Sequence, residues 1–76
     1  MTFSEFIRLA PGVRVYLTGE AQLKLLLSDP VEFVDRVWIP EERCQSNTSL
    51  GRDEMTFARV IDRFGHCALV RYGEIL

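Results

Sequence analysis

Residues Met55 to Tyr72 read MTFARVIDRFGHCALVRY. Two apolar runs rich in β-branched side chains flank Asp62-Arg63-Phe64-Gly65, where Asp suits the first and Gly the last position of a type I turn. A three-residue loop, closed by a Gly in the left-handed region, predicts a hairpin with a bulge. Asp62 then pairs with His66, which sets the register. Val60 faces Ala68, Ala58 faces Val70 and Thr56 faces Tyr72 on one side of the ribbon. Phe57, Arg59, Ile61, Cys67, Leu69 and Arg71 occupy the other. The first face is apolar in its middle and is the expected core side. The second is apolar too but carries two arginines. A ribbon apolar on both faces needs cover on both, from its own chain or from a second copy, because an isolated hairpin is marginal in water.

Upstream of the hairpin the signals are shorter. Thr2-Phe3-Ser4-Glu5 fits a capping box, and Phe3, Phe6, Ile7 and Ala10 form a stripe at helical spacing. This predicts a helix of about two turns, stopped by Pro11-Gly12, whose stripe lies as a lid on the core. Val13 to Leu17 alternates, with Val13, Val15 and Leu17 on one face and Arg14 and Tyr16 on the other, which predicts a strand. Ala21 to Ser28 alternates as a strand would, yet Ala, Gln, Leu and Lys favour helix and none is β-branched. A helix is the preferred reading. Asp29-Pro30 with Glu32 could open another helix, but Val, Phe, Trp and Ile dominate the run from Val31 onward. A strand is therefore expected over about Val34 to Ile39, ended by Pro40. The polar segment from Glu41 to Glu54 has no period and is expected to be a long loop.

A chain of 76 residues makes one small domain with a core only just sufficient. An apolar share of 47% is too high for a disordered chain. The net charge of −2 argues against a general nucleic-acid binder. The N-terminus has no basic region before an apolar one and no segment is long enough to span a membrane, so a cytoplasmic location is expected, without membrane contact. Cys44 and Cys67 are too few for a disulfide scaffold and are expected to be reduced.

Chemistry-bearing constellations are sparse. His66 and Cys67 are adjacent, opposite Asp62, but neighbours on a strand point to opposite faces, so His66 is not placed to activate the thiol. Asp62 reads better as a turn cap. Cys44, His66 and Cys67 lack the spacing of a zinc site, and no cofactor is expected. Ser46 to Arg52 offers hydroxyls, Gly51 and an Arg but lacks a phosphate-loop pattern and context. The acid pairs Glu41-Glu42 and Asp53-Glu54 sit in a featureless loop, where catalytic carboxylates would lack a rigid support. The aromatics Tyr16, Trp38, Phe57 and Tyr72 could line a recognition groove, although a lone Trp more often belongs to the core. An enzyme is the less favoured reading.

The closing run from Ala58 to Ile75, ARVIDRFGHCALVRYGEI, resembles the central hairpin of SH3-like and Tudor-like small barrels. That resemblance implies a fold and transfers no functional residue. The expected architecture is α+β, mainly antiparallel β. It is either a small SH3-like, partly open barrel or a curved sheet, with a short N-terminal helix and a possible second one. The expected function is that of a small non-enzymatic binding or adaptor module, a homodimer that also contacts another protein. Its interaction surface would combine Arg59, Ile61, Leu69 and Arg71 with the four aromatics. The alternative is a small-ligand-binding or catalytic domain with a pocket near Trp38, Cys67 and the 41–54 loop. A nucleic-acid-associated barrel using Arg59, Arg63 and Arg71 comes third.

Overall fold

The structure is a computed structural model that describes residues 1–39 and 55–76. In chain order its elements are helix α1 (Phe3–Phe6), strand β1 (Arg14–Val15), helix α2 (Gly19–Leu25) and strands β2 (Val31–Trp38), β3 (Thr56–Ile61) and β4 (Cys67–Val70). A 3-10 turn, Tyr72–Glu74, succeeds the last strand. The four strands form one open antiparallel sheet in the order β1-β2-β3-β4. The fold is therefore α+β, with a four-stranded antiparallel sheet and two short helices among the described residues.

The hairpin has the expected register. Ala58 pairs with Val70, Val60 with Ala68 and Ile61 with Cys67. The Asp62 N–H donates to the His66 carbonyl at 2.9 Å, and Gly65 adopts φ +88°. Ala58, Val60 and Val70 are fully buried, so the face expected to be the core side is the core side. The pairing of Thr56 with Tyr72 does not form. The ladder ends at Ala58–Val70 and Tyr72 opens the 3-10 turn. There its ring packs edge-on against Phe3 at 5.6 Å.

Helix α1 is shorter than the stripe predicts. The Thr2 hydroxyl and Glu5 carboxylate form the capping box, and the Thr2 N–H and hydroxyl hold the Glu5 carboxyl below its ordinary pKa. After one turn the chain tightens, with Arg8 and Leu9 N–H donating three residues back. Phe6 is buried and Leu9 packs against the core, but Ile7 is 50% exposed and Ala10 is exposed as well. The lid thus rests on Phe3, Phe6 and Leu9. Arg36 of β2 secures it, donating from Nη1 to the carbonyls of Phe6 (3.2 Å) and Leu9 (2.9 Å).

The strand expected over Val13 to Leu17 is paired only at Arg14 and Val15, with Leu17 in a single bridge to Ile75. Val15 and Leu17 are buried as the alternation requires, whereas Val13 is 40% exposed. The run after it is a helix, as its composition favours. Thr18 caps α2 by accepting from the Ala21 N–H, and Glu20 and Lys24 suit the two ends of its dipole. Asp29 does not cap a helix. Its carboxylate accepts from the Leu17 N–H at 3.0 Å, the Asp29–Pro30 bond is cis, and β2 starts at Val31, earlier than expected. Val31 pairs with Val15 and buries its side chain in the core. A bulge at Val34 shifts the β2–β3 register.

Two further backbone bonds flank the Leu17–Ile75 bridge: Thr18 N–H to the Glu74 carbonyl and Leu76 N–H to the Tyr16 carbonyl. They tie the chain after β1 to the chain after β4. No helix among the described residues is long and apolar enough to cross a membrane. The readings of Pro40, Cys44 and the 41–54 segment, including its acid pairs and Ser46 to Arg52, lie outside the described residues.

Candidate interaction face

The ladder sorts the sheet's side chains onto two faces. Phe33, Ala58, Val60 and Val70 face the core with α1 and the buried Ala21 of α2. The opposite face presents Glu32, Asp35 and Val37 from β2, Phe57, Arg59 and Ile61 from β3, and Cys67 and Leu69 from β4. Val37, Phe57 and Ile61 are half-buried, and Leu69 is 39% exposed. This face is an apolar strip crossed by charge.

The charges on it are organised. Arg59 Nη1 lies 3.4 Å from Asp35 Oδ2, with both side chains about half exposed, so the pair itself stabilises the fold little. The other Asp35 oxygen, Oδ1, is shielded from water and has no hydrogen-bond partner among the described residues. Arg71, just beyond β4, places its guanidinium 5.6 Å from the Phe57 ring centroid.

The eight residues expected to form one surface divide. Phe57, Arg59, Ile61 and Leu69 share the outer face, and Arg71 joins them through Phe57. Tyr72 packs against Phe3 and Phe6 instead. Trp38 pairs with Thr56 at the end of β2 on the core side and is 53% exposed, so it is not a core residue. Tyr16, 54% exposed, comes directly after β1 beside the C-terminal residues. The four aromatics do not make one row. Trp38 and Cys67 are also separated. They sit opposite the two ends of β3, five residues or roughly 16 Å apart.

At the hairpin tip the chemistry is that of a turn. Asp62 Oδ1 accepts from the N–H groups of Phe64 (2.9 Å) and His66 (2.8 Å), and Oδ2 accepts from Ser28 N–H (3.2 Å). Burial raises the pKa of this carboxyl, but the three backbone donors and His66 outweigh it and hold it below the ordinary value. His66 Nδ1 lies 3.2 Å from Oδ2, so the imidazole faces Asp62. Cys67 Sγ lies 3.9 Å from the Gly65 carbonyl, to which the thiol donates. Among the described residues no three of His, Cys, Asp and Glu gather where they could hold a metal ion.

A cleft that no sequence pattern announces lies between the end of α2 and the edge of β4. It encloses about 610 Å³ and is lined by Lys24, Leu25, Phe57, Leu69, Arg71 and Tyr72, with Gly73 and Glu74 at its end. Lys24 and Leu69 are 45 residues apart (69 − 24), and no local pattern joins them. Compared with protein-family models, with curated proteins and with solved structures, the chain matches none.

Proposed function

We propose that the protein is a small non-enzymatic binding module acting through protein–protein contacts, and that its first partner is a second copy of itself. The observation that carries this reading is the outer face, where Val37, Phe57, Ile61 and Leu69 form an apolar strip on the side away from the core. Its charge pattern suits self-association. Acids lie on β2 and arginines on β3 and beyond β4, and a two-fold axis running between β2 and β3 sets each Asp35 over the second copy's Arg59. That arrangement supplies a second donor to a carboxylate that has one arginine beside it among the described residues.

The sheet itself reads as a small SH3-like barrel left partly open. Support comes from the Leu17–Ile75 bridge and its two flanking backbone bonds, which link the chain beyond the sheet's first strand to the chain beyond its last. Nucleic acid is a weaker partner for this face, since Arg59 is engaged by Asp35 and the chain is acidic overall.

Sedimentation at micromolar concentration tests the dimer. The wild-type chain should sediment as a dimer, and Leu69→Asp and Ile61→Asp should sediment as folded monomers. Arg59→Asp alone should weaken association, and adding Asp35→Arg should restore it. A wild-type monomer throughout the micromolar range would refute the reading.

A further inference from the structure

The edge of β4 is built differently from the face beside it. Because Asp62 N–H bonds the His66 carbonyl, the pairs Val60–Ala68 and Ala58–Val70 exchange the ladder's hydrogen bonds. The N–H and C=O groups of Cys67 and Leu69 therefore point away from β3. No other described backbone group bonds them. Among the described residues β4 is the last strand of the sheet, and such an edge is a template for another strand. The 610 Å³ cleft opens beside Leu69, with Leu25, Phe57, Leu69 and Tyr72 as its apolar lining. Cations stand on both rims, Lys24 from α2 and Arg71 from the sheet side. The carboxylate within the cleft, Glu74, already accepts from the Arg71 N–H at 3.0 Å. Glu20, one turn back from Lys24, lines the adjoining cleft instead.

We infer that this edge binds an extended acidic peptide segment by strand addition. The backbone of the segment pairs with Cys67 and Leu69, its apolar side chains enter the cleft, and its carboxylates meet Lys24 and Arg71. Main-chain bonds supply the geometry and the two cations supply the selectivity. The inference rests on the binding-module reading; it shares Phe57 and Leu69 with the proposed dimer face, whereas Lys24 and the outward backbone groups of β4 belong to the edge alone.

The test is titration of the full chain with three blocked hexapeptides, read by amide chemical shifts and fluorescence anisotropy. One carries Glu, Val and Glu at positions 1, 3 and 5, which share one face of a strand, with Thr between them; one has Lys in place of both Glu; and one is the Glu peptide N-methylated at the amides that would face β4. The Glu peptide should saturate, bind at least tenfold tighter than the Lys peptide, and slow amide exchange at Cys67 and Leu69. N-methylation should abolish binding. Lys24→Glu, an exposed change on a helix surface, should weaken binding several-fold, and Lys24→Glu with Arg71→Glu at least tenfold. Equal binding of the Glu and Lys peptides, retained binding after N-methylation, or no saturation up to about 1 mM would overturn the inference. The Ile61→Asp chain, which changes the outer face and not the cleft, separates the two readings. It should lose the dimer and keep the peptide.

Discussion

Leu26 ends α2 in the left-handed region at φ 55° with its side chain 79% exposed. A non-glycine residue there costs about 1 kcal/mol of backbone free energy, and an exposed side chain offsets little of it. Leu26→Gly should therefore raise stability by about 0.5 kcal/mol, after glycine's own chain-entropy cost is subtracted. The measurement is a higher urea midpoint at unchanged slope. Asp62 carries the opposite kind of constraint. Its carboxylate joins the tip of the hairpin to Ser28 ahead of β2, and its pKa lies below the ordinary value. A depressed folded-state pKa means that its stabilising contribution is fully present above the unfolded value, near pH 4, and is lost as pH falls through the folded value. Asp62→Asn should lower the melting temperature at neutral pH and flatten its fall in acid. An acid dependence as steep as that of the wild-type chain would contradict this account. The turn role of Asp62 is legible from its spacing to Gly65. Its bond to Ser28, 34 residues away, is not.

The least self-sufficient element is α1, a single turn far below the length at which a helix holds in water. Its attachment comes from Phe6, fully buried and 6.4 Å from Tyr72 between ring centroids, and from the two bonds of Arg36. Phe6→Ala should cost about 3–4 kcal/mol. A chain of this size has roughly 4–11 kcal/mol in total, so urea denaturation should show a large loss or an unfolded protein. Arg36→Met should cost about 1–2 kcal/mol by leaving two carbonyls of the helix end without their donor. No change in midpoint for Arg36→Met would mean that water replaces the guanidinium without penalty. The capping box marks where α1 begins, because capping is a matter of residues three apart. The stripe through Ile7 and Ala10 overstates where it ends, because the stripe is a local pattern and the surface that receives it is not. The hairpin is legible in full up to Val70, since its turn and its alternation are both local.

For the molecule as a whole, the sheet has one completed side and one that is open among the described residues. A dimer through the open side makes the melting temperature rise with protein concentration, whereas a monomer melts at one temperature throughout. Differential scanning calorimetry over a hundredfold range of concentration distinguishes them, and Leu69→Asp should remove the dependence. Residues close along the chain are enough to set the hairpin and its register, the capped start of α1, the helical character of α2 and the α+β class. In each case turn geometry, capping or side-chain period acts directly on neighbours. Folding in three dimensions was needed to send Tyr72 from the hairpin to Phe3 and Phe6, to hold Trp38 and Cys67 far apart, and to join Leu17 to Ile75. It also brought Lys24 beside Leu69 and Arg71. These are contacts between distant segments, selected by which apolar surfaces can be buried together, and no spacing along the chain encodes them. The arginine-bearing second face of the hairpin can be named from the alternation. The cleft at its edge needed the helix folded against it.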